Sequence, residues 1–159
     1  MQSSRPRASA DTSTVAEEAA AEALDCALRA LRHRDRTRFE IERHLRARGF
    51  SDADCTRVVV TLRRTGLVDD ERFAQARAAS LAGRDAGDVL IHARLVEAGV
   101  TRDEADVAIA NLEGEATRAR RIVSARGASL KTARYLCRKG FSEEVVAAAI
   151  ADGADGELG

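Results

Sequence analysis

The sequence predicts an all-α protein made of three tandem three-helix repeats, and three observations support this. A short phrase occurs three times, as Arg48-Gly49-Phe50-Ser51, Ala98-Gly99-Val100-Thr101 and Lys139-Gly140-Phe141-Ser142. Apolar residues recur at matching distances on both sides of each Gly, which indicates internal repeats of about 40 to 50 residues. The composition also favours helices, because the chain has one Pro and only 3% aromatic residues.

Each phrase predicts a helix end, a sharp turn and the start of the next helix. The Gly suits the left-handed position that follows a helix, where a side chain would clash. The Phe or Val that follows is expected to be buried at the corner. The Ser or Thr is expected to cap the next helix by accepting a hydrogen bond from a free backbone amide.

The predicted boundaries follow from these turns and from the caps. A capping box at Thr14-Val15-Ala16-Glu17 is expected to open the first helix, and Asp88 to cap the middle helix of the second repeat. The two glycines of 83–87 suggest a flexible hinge. The predicted parts are a disordered segment 1–13, repeats at 14–66, 67–113 and 114–152, and an acidic tail 153–159.

The charges are balanced overall but unevenly distributed. Formal net charge is zero, yet residues 29–48 contain eight Arg and three acids, and residues 115–139 contain eight bases and one acid. The segment between them, 85–113, is net acidic. Basic segments in equivalent places of two repeats favour binding to a partner, whereas any single Arg is explained by a solvated helix surface.

The candidate binding residues lie around the second helices of the first and third repeats. They are Arg34, Arg36, Arg38, Arg43, Arg46 and Arg48 in the first repeat, and Lys131, Arg134, Arg138 and Lys139 in the third. The preceding helix of the third repeat adds Arg118, Arg120 and Arg121. Such cations can neutralise phosphates or meet an acidic protein surface, and their charge alone does not separate these partners.

No catalytic arrangement is predicted. His33, His44 and His92 form no metal-binding pair, and the chain has neither a phosphate-binding loop nor a dinucleotide-binding motif. Three widely spaced cysteines suggest a reducing compartment, and residues 1–12 resemble neither a signal peptide nor a membrane anchor. We therefore expect a cytoplasmic protein that is not an enzyme and needs no cofactor or metal.

Three stretches resemble a known family. Residues 37–41 with Leu45 and Arg48-Gly49-Phe50 resemble the first-repeat signature of RecX, the bacterial regulator of the RecA recombinase. The run from Gly66 to Ala74 and the run from Tyr135 to Ser142 resemble two further signatures of that family. The similarity spans about residues 22–151.

The resemblance implies an elongated, curved molecule that modulates RecA without catalysis. Family members bind the RecA filament on DNA along its helical groove and inhibit its ATPase, strand-exchange and coprotease activities, and they can also bind DNA. Carried over by position, the basic faces of the first and third repeats would contact the filament. We expect a monomer that does not bind membranes. The middle stretch Gly87-Asp88-Val89-Leu90-Ile91 departs from the family pattern, because it lacks a Pro and bases.

Three hypotheses stay open from the residues. The first is a regulator of the RecA filament, the second is a small DNA-binding module that acts without RecA, and the third is a structural helical adaptor. Binding to RecA on single-stranded DNA, compared with naked DNA, discriminates between them.

Overall fold

The computed structural model describes residues 8–156, which contain nine α-helices and no strand. The helices are α1 (Ala8–Leu31), α2 (Arg38–Ala47), α3 (Asp52–Arg64), α4 (Asp70–Ala82), α5 (Asp88–Glu97), α6 (Arg102–Ala110), α7 (Glu115–Arg126), α8 (Leu130–Arg138) and α9 (Glu143–Gly156). The predicted all-α repeat fold is confirmed.

Each group of three helices encloses its own hydrophobic cluster. The first contains Ile41 and Leu45, the second Ile91 and Leu95, and the third Leu136. Described residues up to Asp69 form one compact unit, and residues from Asp70 form a second unit that contains the last two clusters. The boundaries drawn from the sequence between three repeats stay a prediction.

The three turns share one hydrogen-bonding pattern. Gly49, Gly99 and Gly140 have φ of 87°, 88° and 81°, as predicted for a left-handed residue after a helix. The N–H of the next residue donates to the carbonyl of the Leu four residues before the Gly, over 3.3, 3.1 and 3.2 Å in turn. This is the Schellman arrangement, which satisfies a carbonyl that the helix end would leave free.

The predicted caps after these turns are present. Ser51 Oγ accepts from the amide of Asp54 over 3.2 Å, and Ser142 Oγ accepts from the amide of Val145 over 3.4 Å. Thr37 and Thr101 each form a complete capping box.

Two predicted chain ends are wrong in the described range. Helix α1 begins at Ala8, so residues 8–13 are helical rather than disordered and Thr14 lies inside the helix. The residues that follow explain this, because 16–23 contain five Ala and three Glu and form a strong helix that the preceding residues extend. Helix α9 continues to Gly156 because Gly153 packs closely, where an added Cβ would lie 2.6 Å from Val123 Cγ1. Residues 1–7 and 157–159 lie outside the described residues.

The predicted hinge at 83–87 is also wrong at its second glycine. Gly87 is buried and donates its N–H to the carbonyl of Lys139 over 2.8 Å. A Cβ at Gly87 would lie 2.3 Å from the carbonyl carbon of Gly140, so only glycine permits this backbone contact. Within the second compact unit, the start of α5 is therefore fixed against the turn between α8 and α9.

Asp88 does not cap α5. Gly87 is the N-cap and offers no side chain, and the amide of Asp88 donates instead to Glu115 Oε1 over 2.8 Å. The Asp88 carboxylate pairs with Arg118, so the predicted cap serves as a contact to α7.

Candidate binding surfaces on the second helices

The predicted basic surface of α2 is partly neutralised by nearby carboxylates. Arg34 donates to both carboxylate oxygens of Glu40 over 2.9 Å each, and Arg46 donates to Asp52 over 2.7 Å. Arg46 also lies 3.3 Å from Glu42. Carboxylates therefore neutralise Arg34 and Arg46, and Arg36 also donates to the carbonyl of Ala30 over 3.4 Å.

The Arg34–Glu40 pair anchors the start of α2. Glu40 belongs to the capping box of Thr37, and its carboxylate is largely buried. Burial by itself would raise the pKa of Glu40, but the hydrogen bonds and charge of Arg34, aided by the Thr37 amide and Arg36, outweigh it and lower that pKa. Glu40 thus stays ionised at neutral pH, with Arg34 as its partner.

Other cations of the first repeat line a groove between α1 and α2. The groove encloses about 750 Å³ and is lined by Cys26, His33, Arg36, His44 and Arg48, together with the acids Glu22 and Asp25. Burial, followed by the charges of Arg48 and Arg36, lowers the pKa of His44. His44 is therefore neutral at neutral pH, and Arg36 and Arg48 carry the positive charge on the α2 side of the groove.

Arg43 lies on a separate, outward face of α2. Its guanidinium carbon is 5.7 Å from the centre of the Phe39 ring, and 44% of Phe39 is exposed. Arg38, at the first position of α2, is half-buried. The arginines predicted to form one basic face on α2 therefore point in several directions.

Helix α8 presents the clearer cationic face. Lys131, Arg134 and Arg138 are exposed and lie at spacings of three and four residues, on one side of the helix. Within the described part of the chain, none of these three side chains has a carboxylate partner, and α8 itself contains no acid. These charges are available to a partner.

Lys139 differs from these three. Its Nζ donates to the carbonyl of Arg84 over 2.8 Å and lies 5.6 Å from the centre of the Tyr135 ring. Arg126 covers that ring at 4.0 Å, and the Tyr135 hydroxyl donates to Asp85 over 2.7 Å. Lys139 and Tyr135 thus connect parts of the second compact unit.

Sequence reasoning missed the structural role of Arg118, which it grouped with the surface cations. Only 4% of Arg118 is exposed, and its guanidinium donates to the carbonyls of Ala86 and Glu113 over 2.6 and 2.9 Å and pairs with Asp88. Burial, with a smaller contribution from Glu115, raises the pKa of Asp88 despite the opposing effect of Arg118. No local pattern marks one Arg among several on α7 as buried, so this contact required the structure.

The equivalent helix of the second repeat offers little positive charge. Arg94 of α5 donates to Glu97 over 2.7 Å, and His92 lies 3.5 Å from Asp106.

No helix that the structure describes is both long and apolar enough to cross a membrane. Among the described side chains, no three His, Cys, Asp or Glu residues are grouped so that they could hold a metal ion.

Comparisons with known proteins agree on one family. Residues 23–62 match the family model described as RecX, first three-helix domain. The chain is 36% identical over 140 residues to the regulatory protein RecX of Geobacillus kaustophilus, an alignment that covers 80% of this chain and 52% of that relative. The chain thus spans about half the length of that relative.

A second relative is matched over nearly its whole length. The regulatory protein RecX of Halorhodospira halophila is 35% identical over 153 residues, which cover 89% of this chain and 95% of the relative.

Solved structures share the fold. The crystal structure of RecX from Lactobacillus salivarius superposes with a TM-score of 0.75 and 19% identity, covering 86% of this chain and 97% of the other. A second crystal structure, of regulatory protein RecX, gives a TM-score of 0.79 and 20% identity, covering 96% and 82%. At these identities the structures show the fold, whereas the near full-length sequence match shows the family. The chain therefore belongs to the RecX family of regulatory proteins.

Proposed function

We propose that this protein regulates the RecA recombinase by binding the RecA filament on single-stranded DNA. The observation that carries the proposal is the face of α8, where Lys131, Arg134 and Arg138 are exposed and unneutralised. A filament of RecA on DNA offers both protein carboxylates and phosphates to such a face. The protein acts as a monomer in the cytoplasm and needs neither a cofactor nor a membrane.

The first repeat supplies a weaker second contact. Arg36 and Arg48 line the groove beside α1, and Arg43 lies on the outward face of α2. Arg34 and Arg46 contribute less, because their carboxylate partners already neutralise them. Lys139 also contributes less, since its ammonium group is bound to the carbonyl of Arg84.

The middle repeat adds little positive charge to this contact. Its second helix has one Arg, which pairs with Glu97. The buried contacts of Gly87 and Asp88 instead hold this repeat against the third one. The cationic face of α8 is therefore held in a fixed orientation relative to the second repeat.

Regulation follows from occupancy of the filament rather than from chemistry. A protein bound along the filament opposes the rearrangements that ATP turnover and strand exchange require. It also covers surface that other partners of the filament would need. The expected effects are inhibition of ATPase, strand exchange and coprotease activity.

The test measures the ATPase activity of RecA on single-stranded DNA while this protein is added. The wild type should lower the rate, and Lys131→Ala/Arg134→Ala/Arg138→Ala should need at least about tenfold more protein for the same effect. The matched control is Arg57→Ala/Arg63→Ala/Arg64→Ala, which removes the same charge from exposed positions on α3. An unchanged ATPase rate across stoichiometric ratios of wild-type protein would refute the proposal.

A DNA-binding module that acts without RecA is the second candidate, and the same three cations support it. Three phosphate contacts on single-stranded DNA give a slope of log affinity against log salt concentration of about −2. Tight binding to naked DNA with that slope, together with an unaffected ATPase rate, would favour this candidate. If neither filament nor DNA is bound, a structural adaptor remains.

A further inference from the structure

An exposed apolar side chain recurs at the same position in all three repeats. Ten residues before each turn glycine stand Phe39, Val89 and Leu130, which are 44%, 63% and 67% exposed. They lie at the first or second residue of α2, α5 and α8. Among the described residues, no other exposed large apolar side chain occupies an equivalent place in every repeat.

Folding does not account for this position. Each second helix already buries other apolar residues, such as Leu45, Leu95 and Leu136, at 0% exposure. None of the three exposed side chains belongs to the hydrophobic cluster of its own repeat. One exposed Leu or Val is ordinary on a monomer, but recurrence at one position of a repeat is not explained that way.

Positive charge accompanies this position in two of the repeats. Arg43 and Arg134 follow Phe39 and Leu130 by four residues, so each pair lies on one helix face. The Arg43 guanidinium stands 5.7 Å from the Phe39 ring centre. In the second repeat the equivalent residue is Ala93.

This combination favours a protein partner over nucleic acid. An exposed aromatic residue beside an Arg, as at Phe39 and Arg43, is typical of the centre of protein interfaces, where a few anchors carry most of the binding energy. Leu130 beside Arg134 repeats this pairing with an aliphatic residue. Contacts to phosphate use cations and hydrogen-bond donors and gain nothing from an aliphatic side chain such as Leu130 or Val89. The charge requires that the complementary surface be acidic.

We propose that Phe39, Val89 and Leu130 are equivalent anchor residues that contact the protein subunits of the filament rather than its DNA. Each anchor inserts into an apolar depression, and the carboxylates around that depression pair with Arg43 or Arg134 where these are present. A residue repeated along one chain suits a surface repeated along an assembly of identical subunits. This inference rests on the proposed function and specifies the partner surface of the same helices.

The test replaces each anchor by Gln, which removes apolar character without changing charge. Val60→Gln and Val107→Gln are matched controls, because these residues are 59% and 52% exposed but lie on α3 and α6. Affinity is measured for RecA on single-stranded DNA and for the same DNA alone. Circular dichroism first verifies that each variant is folded, as expected for exposed positions.

Leu130→Gln and Phe39→Gln should each weaken filament binding about fivefold or more. Val89→Gln should weaken it about threefold more than Val107→Gln does, since no Arg adjoins this anchor. Binding to DNA alone should change less than about twofold in every variant.

A second measurement uses Cys137, which is exposed and lies near Arg134 on the same side of α8. Cys55 is buried and should stay unreacted, which verifies that the protein remains folded. The filament, but not DNA alone, should slow alkylation of Cys137 several-fold, as read by mass spectrometry of the peptides.

Three results would overturn the inference. In the first, the anchor variants bind the filament as tightly as the controls. In the second, Leu130→Gln weakens binding to filament and to DNA alone by the same factor, which would assign the contact to nucleic acid. In the third, Cys137 reacts equally fast with and without the filament. Failure of the wild type to bind the filament at all is a different result, which would refute the proposed function and this inference with it.

Discussion

Replacing Gly87 by Ala should strongly destabilise the part of the second compact unit that the structure describes, residues 70–156. Gly87 has an ordinary backbone conformation, with φ of −79°, so the cost comes from the contact alone. The new Cβ would lie 2.3 Å from backbone atoms of Gly140 and Phe141. Ordinary carbon contacts begin near 3.4 Å, so the two backbones must separate by about 1 Å.

That separation breaks two hydrogen bonds. They join Gly87 N–H to the Lys139 carbonyl over 2.8 Å and Val89 N–H to the Gly140 carbonyl over 3.2 Å. Each bond contributes about 1 kcal/mol and overpacking costs about 1–3 kcal/mol, while loss of glycine flexibility in the unfolded chain returns up to about 1 kcal/mol. The net loss is about 2–5 kcal/mol, or roughly 10–30 °C in Tm for a unit of this size.

The assay is unfolding by heat and by urea, followed by circular dichroism at the helix band. Gly83→Ala is the matched control, because its Cβ would lie 3.4 Å from the nearest atom, the carbonyl oxygen of Ala79. That variant should change stability by less than about 1 kcal/mol. If Gly87→Ala is as stable as Gly83→Ala, the backbone contact does not hold these repeats together and the reasoning is wrong.

Three further predictions concern charged groups. Arg118→Met leaves Asp88 unpaired and should lower the free energy of unfolding by about 2–3 kcal/mol, as measured by urea unfolding. The loss is smaller than for a fully buried pair because about a third of Asp88 is exposed. The double variant Arg118→Met/Asp88→Asn should recover part of the lost stability. Because the folded pKa of His44 is lowered, the fold favours the neutral form of this side chain, so the free energy of unfolding should fall as pH drops from about 6.5 through the folded pKa. Unfolding measured between pH 7.5 and 5 should show a shallower fall in His44→Asn. An equal fall in both proteins would contradict the role given to His44. Because the folded pKa of Glu40 is lowered, the ionised carboxylate stabilises the fold above about pH 4.5, and this stabilisation is lost as pH falls through the folded pKa. Arg34→Gln should lower the free energy of unfolding by about 1 kcal/mol at pH 7 and should make the loss of stability on acidification smaller. Equal acid losses in the wild type and the variant would contradict the stabilising role of the Arg34–Glu40 pair.

Local patterns in the sequence predicted the turns well. Gly49, Gly99 and Gly140 each combine a left-handed glycine, a buried or half-buried corner residue and a following cap, and these features depend on neighbours within a few residues. The family was also recognisable, because two of its three signatures overlap the turns at Gly49 and Gly140.

Contacts between distant residues could not be predicted in the same way. Gly87 was interpreted as a hinge because glycine permits both flexibility and close packing, and only the position of Gly140 distinguishes these uses. Arg118 was grouped with the surface cations because charge suggests exposure, yet the carbonyl of Ala86, 32 residues away, accepts its hydrogen bond.

The candidate site shows the same division. The number of bases predicted similar roles for the surfaces around α2 and α8. That number does not reveal that Glu40 and Asp52 neutralise Arg34 and Arg46, whereas α8 has no acid. The exposed position of Phe39, Val89 and Leu130 was also missed, since apolar residues in a helix are first assigned to a core. Both corrections depend on which way each side chain faces.

The contact between Gly87 and Gly140 has an evolutionary consequence. In many repeat proteins, neighbours meet through generic apolar faces, so single units can be duplicated, deleted or exchanged between homologues. Here the second and third repeats meet where two backbones touch, and glycine is needed on both sides because a Cβ at Gly140 would lie 2.5 Å from Leu90 Cβ. A recombination event between these repeats would have to bring both glycines and the Arg118–Asp88 pair together. The two repeats are therefore expected to be inherited as a single unit, and a chimera joined after residue 113 that lacks either glycine should lose stability.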